Sequence, residues 1–564
     1  MKWNIIKTNP FLSYKYSKKL NISRILSNVL INRNVKINIA KNILYNNYKL
    51  IEEPEGIFGA NTVKEAILDS IKNNSDIYIF ADYDVDGLTS GYIMKDFLEN
   101  ICSNHIEVYY PNRKEGYGLS TNFCYNLINK YKDKEKNVTV ITVDNGITKI
   151  CETDILINNN IKVIITDHHE VLTDELPNTP YICDAFINPN SIGKHLCGAS
   201  IVWKICYLIA EELEKPNLIN KYYPYIALAT MADVMPMTPE NSAIINIGLN
   251  MLNNNDYINN IKLLFNAIKP NTKITSKDLG WYIAPKINSC TRMDRLDVAQ
   301  AFYEEKDINK LQNIIIDMIE IDSNRKKLVD KAIKETEKIN FNKDKVCIFD
   351  SSKYTPGIAG IIAGRLTEKY KKPSIVIHKD NDGNYKGSVR SITGLNIVNV
   401  LSKEKDKNNI IDCGGHAEAA GLSLKENQVK DLKQSLNTTL DNCLIEQEPN
   451  INIDGYINLT DITTDVLEEI TKLPYDNNYF TYPTFCLTNL TVAKTKTSSK
   501  NKNNICFTIQ DQNKVVRDYW GWGLGYKYED IGSPKQIDII GKIEYGFGNS
   551  SNKATFIVTD IRKV

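Results

Sequence analysis

Residues 79–94 read IFADYDVDGLTSGYIM. Asp82, Asp84 and Asp86 take alternate positions after an apolar run and just before a glycine. Carboxylates so crowded repel one another, and burying them is costly unless a cation compensates. Two later apolar runs end the same way: VITVDNG carries Asp144, and VIITDHHE carries Asp167, His168 and His169. A helix-like segment, IALATMADVMP, adds Asp233. Carboxylates joined by one or two imidazoles suit Mn2+ or Mg2+ and not a thiolate-bound metal. Several carboxylates in one place suit two such cations, which together activate water and clamp a phosphate for in-line attack. A single aspartate at a strand end is ordinarily a turn or helix-cap residue, and a lone His-His pair is ordinarily structural. Four segments that each deliver an acid to the same kind of position are harder to attribute to capping alone.

The elements that must position these groups follow from periodicity. DIYIFADYD reads as a buried strand and GLTSGYIMKDFLE as a helix. HIEVYY, VTVITVD and KVIITD are further apolar runs of strand length with helix-sized segments between them. Alternation of this kind predicts a parallel sheet with helices on both faces, and ligands beyond the carboxyl ends of its strands. The expected architecture is α/β. Residues 1–55 form short helices with a basic, polar surface, and 56–294 form the acid-bearing domain. A charged helix or helix pair over 295–342 connects to a second α/β domain at 343–445. Residues 450–564, with NICFTIQD, QIDIIGKI and ATFIVTDI, form a small all-β barrel.

Bulk composition narrows the setting. At 564 residues the chain needs two to four domains. Its 69 Lys and Arg against 68 Asp and Glu give a net charge of +1, so any nucleic-acid site must be a local basic patch. Twelve scattered cysteines form no CxxC pair, which argues against a disulfide framework or zinc ribbon and for a reduced, cytoplasmic setting. The N-terminal MKWNIIKTNPFL lacks the signal-peptide pattern, and no apolar run reaches membrane-spanning length. The abundance of Asn, Lys and Ile fits AT-rich coding more than structure.

DYDVDG, VDNG, TDHHE and ADVMP, in that order and spacing, resemble the motifs of the DHH phosphoesterases. YYPNRKEGYGLS, INPN, LCGASIVWKI, IAPKINSCTRMD, GIAGIIAGRLTEKYKKP, GSVRS and GGHAEAAGLSL narrow the resemblance to the RecJ-type DHH–DHHA1 exonucleases, over the chain to about residue 425. The resemblance implies a single-strand-specific 5′→3′ DNA exonuclease of repair and recombination, releasing 5′-mononucleotides through two divalent cations, Mn2+ or Mg2+. By position, Asp84 would bind the first cation and Asp86 the second. Asp144 would bridge both, and His168 and Asp233 would complete the second site. Asp82 would support the ligands or bind weakly, and His169 would orient the scissile phosphate or assist with charge. No covalent enzyme intermediate is implied.

The second α/β segment resembles the DHHA1 module. KGSVRSITG offers Ser388 and Arg390 in a glycine-bounded turn, and DCGGHAEAAG offers His416 after two glycines. Glycines let backbone N–H groups approach a phosphate, and Arg adds a bidentate clamp. Arg292 and Arg113 are further phosphate-binding candidates, and Asn112 and Tyr117 could contact the leading nucleotides. The β-rich tail resembles an OB fold, which grips single strands by a basic groove and aromatic stacking. There the loop AKTKTSSKNK supplies Lys494, Lys496, Lys500 and Lys502. Departures from the family pattern are Ala81, Asn145, Lys286, Thr291, Val389 and the segment LPYDNNYFTYPTF, where a glycine-rich loop is typical. None is a predicted metal ligand.

The expected partner is single-stranded DNA, delivered by a helicase or single-strand-binding protein to a monomer, with no membrane involved. Two other readings compete. Small-substrate relatives cleave oligoribonucleotides or dinucleotides, but generally lack both the N-terminal extension and the β-rich tail. Inactive relatives act as replication scaffolds, but have lost the acids that this chain keeps.

Overall fold

The computed structural model describes every residue except 1, 46, 112–115, 172–174, 255, 381–382, 442–449, 476–479, 500 and 547–552. Met1–Tyr109, Gly118–Ala284 and Glu448–Val564 form one compact unit, and Tyr110–Tyr117 with Pro285–Gln447 form a second.

The first unit begins with strand β1 (Lys2–Ile5) and the helices Pro10–Leu20, Arg24–Asn32 and Ile37–Tyr45. Sequence periodicity predicts only helices here; a four-residue KWNI strand carries too little alternation to be read. A five-stranded parallel sheet follows. Its strands are β2 (Asp76–Ala81), β3 (Ile106–Tyr109), β4 (Val138–Val143), β5 (Lys162–Thr166) and β6 (Ile182–Cys183), in the order β3-β2-β4-β5-β6. The three central strands are buried along almost their whole length, as parallel strands covered on both faces must be. Each fully buried Ile or Val there contributes roughly 1.5–3 kcal/mol relative to exposure. In-register pairing sets Ala81, Val143 and Thr166 side by side, so the residues that follow emerge at one edge.

The second unit carries its own sheet of β7 (Cys347–Asp350), β8 (Ser374–Lys379), β9 (Tyr385–Arg390), β10 (Asp412–His416) and β11 (Ala419–Leu424). Its order is β10-β11-β9-β8-β7, parallel only between β7 and β8. The expected connector over 295–342 is a helix pair, Leu296–Glu304 and the long Ile308–Thr336. Buried Asp322 on the long helix gathers Lys286, Arg325 and Lys326 at 3.4, 2.8 and 2.8 Å and accepts a hydrogen bond from Ser289 Oγ. This pins the helix Ala284–Arg292 to the long one.

The tail returns to the first unit. β12 (Asn450–Ile453) pairs in parallel with β1. The strands β13 (Gly455–Tyr456), β14 (Phe485–Thr497), β15 (Ile505–Gln510), β16 (Val516–Gly521), β17 (Gln536–Tyr545) and β18 (Ala554–Lys563) form a six-stranded sheet that closes through β14–β17. Closure removes the exposed edges that an open sheet would present. The barrel does not pack alone. Leu26, Val29 and Leu30 of the second helix share one core with Phe485, Phe507 and Phe556. Among the described residues, no helix is long and apolar enough to cross a membrane.

Candidate metal centre

The edge formed by β2, β4 and β5 collects the acids. Beyond β2, Asp82 is buried and Asp84 caps the helix Val85–Glu99, accepting hydrogen bonds from Asp86 N at 2.9 Å and Gly87 N at 3.1 Å. The helix can start this close because residue 87 is glycine: a Cβ there would stand 2.4 Å from the Asp82 carbonyl oxygen. Asp86 accepts from Gly198 N at 2.7 Å and Ala199 N at 2.8 Å, at the start of the helix Gly198–Glu212. Both carboxylates are therefore fixed by backbone donors and keep lone pairs for a further partner.

Asp144 follows β4 in a left-handed conformation, with φ at 62°. A non-glycine residue held there is strained, and such strain concentrates at functional sites. Its neighbour Asn145 donates to the carbonyls of Phe80 and Val143, at 3.2 and 2.9 Å, tying the ends of β2 and β4 together. The departure at 145 thus serves positioning. After β5, His168 Nε2 lies 3.0 Å from Asp144 Oδ1, 3.6 Å from Asp86 Oδ2 and 3.8 Å from Asp233 Oδ2. Asp233 reaches in from the C-terminal end of the helix Tyr223–Ala232, as its segment predicts. Among the described residues, three groups of potential ligand atoms lie within 4.8 Å of one another: Asp82, Asp84 and Asp144; Asp86, His168 and Asp233; and Asp144, His168 and His169.

Electrostatics point the same way. Burial, then the neighbouring carboxylates Asp86 and Asp84, push Asp144 well above the usual carboxylate range. Burial and the same two neighbours do so for Asp233, and Asp86 is raised mainly by burial. Burial lowers His168, keeping its imidazole neutral and able to coordinate. Acids this crowded and this dry are the donor set that a pair of divalent cations would neutralise, so the residues present fit Mn2+ or Mg2+.

His169 behaves differently. Burial opposes its charged form, but the Asp167 hydrogen bond at 2.7 Å and nearby carboxylates outweigh that and raise it to about 9. Asp167 also accepts from the backbone N–H of Ile147, His168 and His169. The sequence places Asp167 among the acids of this edge but assigns it no role of its own; the structure makes it the partner that orients His169. Gly198 is missed as well. A Cβ there would meet Asp144 Oδ1 and Cβ at 2.6 Å, so only glycine lets the helix and the carboxylate coexist. Small residues at a helix start, LCGAS, were the available clue.

In the second unit Ser388 and Arg390 lie on strand β9, not in a glycine-bounded turn. Tyr385, Gly387 and Val389 alternate inward, so the glycine fills a strand position and does not mark a turn. Gly414 and Gly415 likewise belong to β10. The registers place His416, Ala419 and Arg390 in one cross-strand row and Gly414, Gly421 and Ser388 in the next. Paired residues share a face, so Ser388, Arg390 and exposed His416 stand together among residues small enough to leave the backbone open. Ser388 Oγ and Arg390 Nη2 also converge on Gly360, whose Cβ would lie 3.7 and 3.1 Å from them, near the start of the helix Ala359–Tyr370. Arg292 closes its helix and donates to the Gly357 carbonyl at 3.1 Å. Tyr117 is exposed in the other segment of this unit. Asn112 and Arg113 lie outside the described residues.

On the barrel, Lys494 and Lys496 extend from strand β14 and not from a loop, because β14 runs on to Thr497; Lys502 occupies the following turn. Lys500 lies outside the described residues. Lys496, Cys506 and Trp520 form one cross-strand row, and Trp520 stacks on Trp522 with centroids 5.4 Å apart. Tyr519 and Tyr528 are buried in the barrel core.

The DHH family N-terminal domain matches residues 76–230, the DHHA1 domain 343–442 and the RecJ OB domain 453–560. The chain is 26% identical to a Bacillus subtilis protein named single-stranded-DNA-specific exonuclease RecJ, over 99% of this chain and 70% of that protein. It is 26% identical to the Haemophilus influenzae protein of the same name, over 88% of this chain and 89% of that one. The crystal structure of RecJ in complex with Mn2+ from Thermus thermophilus shares the fold, with a TM-score of 0.84 at 19% identity, covering 100% of this chain and 80% of that chain.

Proposed function

Because this chain belongs to the RecJ-type DHH/DHHA1 phosphoesterases, we propose that it shortens single-stranded DNA from the 5′ end by metal-dependent hydrolysis, releasing 5′-mononucleotides. The observation that carries the proposal is the convergence of Asp82, Asp84, Asp86, Asp144, His168 and Asp233 at one sheet edge, where their repulsion calls for cations.

Asp84 and Asp86 would each serve one cation, Asp144 both, and His168 and Asp233 would complete the second site. When bound, two divalent cations would neutralise the phosphodiester and make water acidic enough to attack it. The chain's own residues do the positioning. Backbone N–H groups hold Asp84 and Asp86 in fixed rotamers, and neutral His168 offers Nε2 to the centre. Protonated His169, held by Asp167, places a positive charge beside the acids, where it would steady the scissile phosphate. Ser388, Arg390 and His416 would receive phosphates of the strand, with Arg292, Arg113, Asn112 and Tyr117 as further contacts. The barrel's Lys494, Lys496, Lys500 and Lys502 would pair with backbone phosphates. A role in DNA repair and recombination in the cytoplasm, acting as a monomer on strands opened by a helicase or held by a single-strand-binding protein, fits this chemistry.

The test uses purified protein with Mn2+ and a chelator control. Its substrates are a 3′-labelled, 5′-phosphorylated single strand, the matching duplex and a linear RNA dinucleotide. Stepwise shortening of the single strand with the duplex spared is expected. Cleavage of the dinucleotide alone would replace this reading with a small-substrate phosphodiesterase.

A further inference from the structure

The first 51 residues contain ten Lys and Arg and no Asp or Glu. At the chain-wide frequency of 68 acids in 564 residues, about six would fall in that length. A coding bias toward lysine does not by itself remove acids, so the asymmetry belongs to this lobe. All ten cations are exposed except Arg33, which is half-buried and paired with Asp454 at 3.1 Å. Glu469 meets the lobe too, but its carboxylate accepts from the backbone N–H of Ser23. Neither acid offsets the outward charge.

The helix Pro10–Leu20 shows how that charge is arranged. Phe11, Tyr14, Lys15 and Lys18 recur at i, i+3, i+4 and i+7 and so share one face. Phe11 is 79% exposed and Tyr14 51% exposed. Lys18 Nζ and the Arg24 guanidinium each stand 5.8 Å from the Tyr14 ring centroid. Further along the lobe, a groove of about 540 Å³ is lined by Tyr45, Tyr48, Lys49, Asn250 and Asn254. It offers aromatic faces and amide groups beside a cation.

We propose that this N-terminal lobe is a second polynucleotide-binding surface, distinct from the barrel, on which lysines meet backbone phosphates and Phe11 and Tyr14 stack on unpaired bases. The inference rests on a nucleic acid being the substrate. A polyanion explains the absence of acids, and single-strand grips combine cations with exposed rings in this way. A protein partner fits less well, because lysine is depleted in protein interfaces.

The test measures anisotropy of a labelled 40-nucleotide single strand with the full chain in chelator, across a salt series. Lys15→Gln/Lys18→Gln/Lys19→Gln is expected to raise Kd at least tenfold and to make the slope of log K against log salt shallower by about 2, since each lost phosphate contact removes about 0.7. Phe11→Ser/Tyr14→Ser should weaken binding several-fold with the slope unchanged, and it tests the proposal separately should the lysine variant fold poorly. Both variants should keep wild-type turnover of a five-nucleotide substrate. Unchanged Kd and slope in a folded lysine variant would overturn the proposal and make an acidic protein the better partner. A wild-type chain that binds the strand but does not shorten it would sink the exonuclease reading and leave this one standing.

Discussion

Gly198 and Asp144 are in contact at the limit of what the backbone allows: a methyl group on Gly198 would press to 2.6 Å of the Asp144 carboxylate. The contact joins a helix start to a strand end, and the residue on the strand end is already strained at φ 62°. Gly198→Ala should therefore displace Asp144 while leaving every acid in place. Turnover should fall at least about tenfold, or ~1.4 kcal/mol in transition-state stabilisation. Calorimetric Mn2+ titration should show weaker binding in the same variant. Full activity would mean that the helix yields without moving the carboxylate.

Asp144→Ala separates chemistry from folding. Without metal, removing one of several mutually repelling buried carboxylates should leave Tm unchanged or higher. Added Mn2+ should raise the Tm of the wild type and move the variant little, and cleavage should be lost. A variant that remains fully active would remove Asp144 from the centre.

Arg390 and Ser388 share a face of β9 and converge near the start of one helix, an arrangement suited to a phosphate. Arg390→Ala is expected to raise KM for a long single strand about tenfold or more, with a smaller change in kcat. Steady-state kinetics decide it: a loss confined to kcat would place Arg390 in the chemistry instead.

Asp322 links pH to stability. Burial would raise its pKa, but the hydrogen bonds and charges of Lys326, Arg325, Ser289 and Lys286 outweigh that and lower it to about 2. A group whose folded pKa is depressed stabilises above its unfolded value near 4, and the contribution disappears as pH falls toward about 2. Asp322→Asn should cost about 2–3 kcal/mol at neutral pH. Urea titrations should find that difference constant from pH 7 to 5 and shrinking below about 4.

The shared core makes the barrel inseparable from the N-terminal helices. Deleting residues 453–564 strips the partners from Leu26, Val29 and Leu30. That deletion should yield aggregated protein, and removal of residues 1–51 alone should do the same. Soluble expression of either truncation, with a cooperative melt, would show that the two parts fold independently.

The convergence of acids at one sheet edge is legible because its signal is repeated. Three apolar runs and a helix end deliver acids at corresponding positions, and parallel pairing in register does the rest. What the sequence hid were contacts between segments. Capping and metal binding compete for Asp84 in the sequence, yet Asp84 caps a helix while its carboxylate stays within 4.8 Å of Asp82 and Asp144. Gly198 and Asn145 act across distances of tens of residues, which no local period reports. The turn expected at Gly387 is a strand because glycine serves strands with small faces as readily as turns. The strand at Lys2–Ile5 was invisible because its partner lies more than 440 residues away.

That separation also bears on how the molecule is made. Leu26 leaves the ribosome long before Phe556, and the two belong to one core. At roughly 5–20 residues per second, the N-terminal helices wait on the order of 25–100 seconds for the strands that cover them. Throughout that interval their apolar faces are open to chaperones and to one another, while their lysines keep them charged. Vectorial synthesis therefore makes the parallel sheet before the barrel strands that cover these helices.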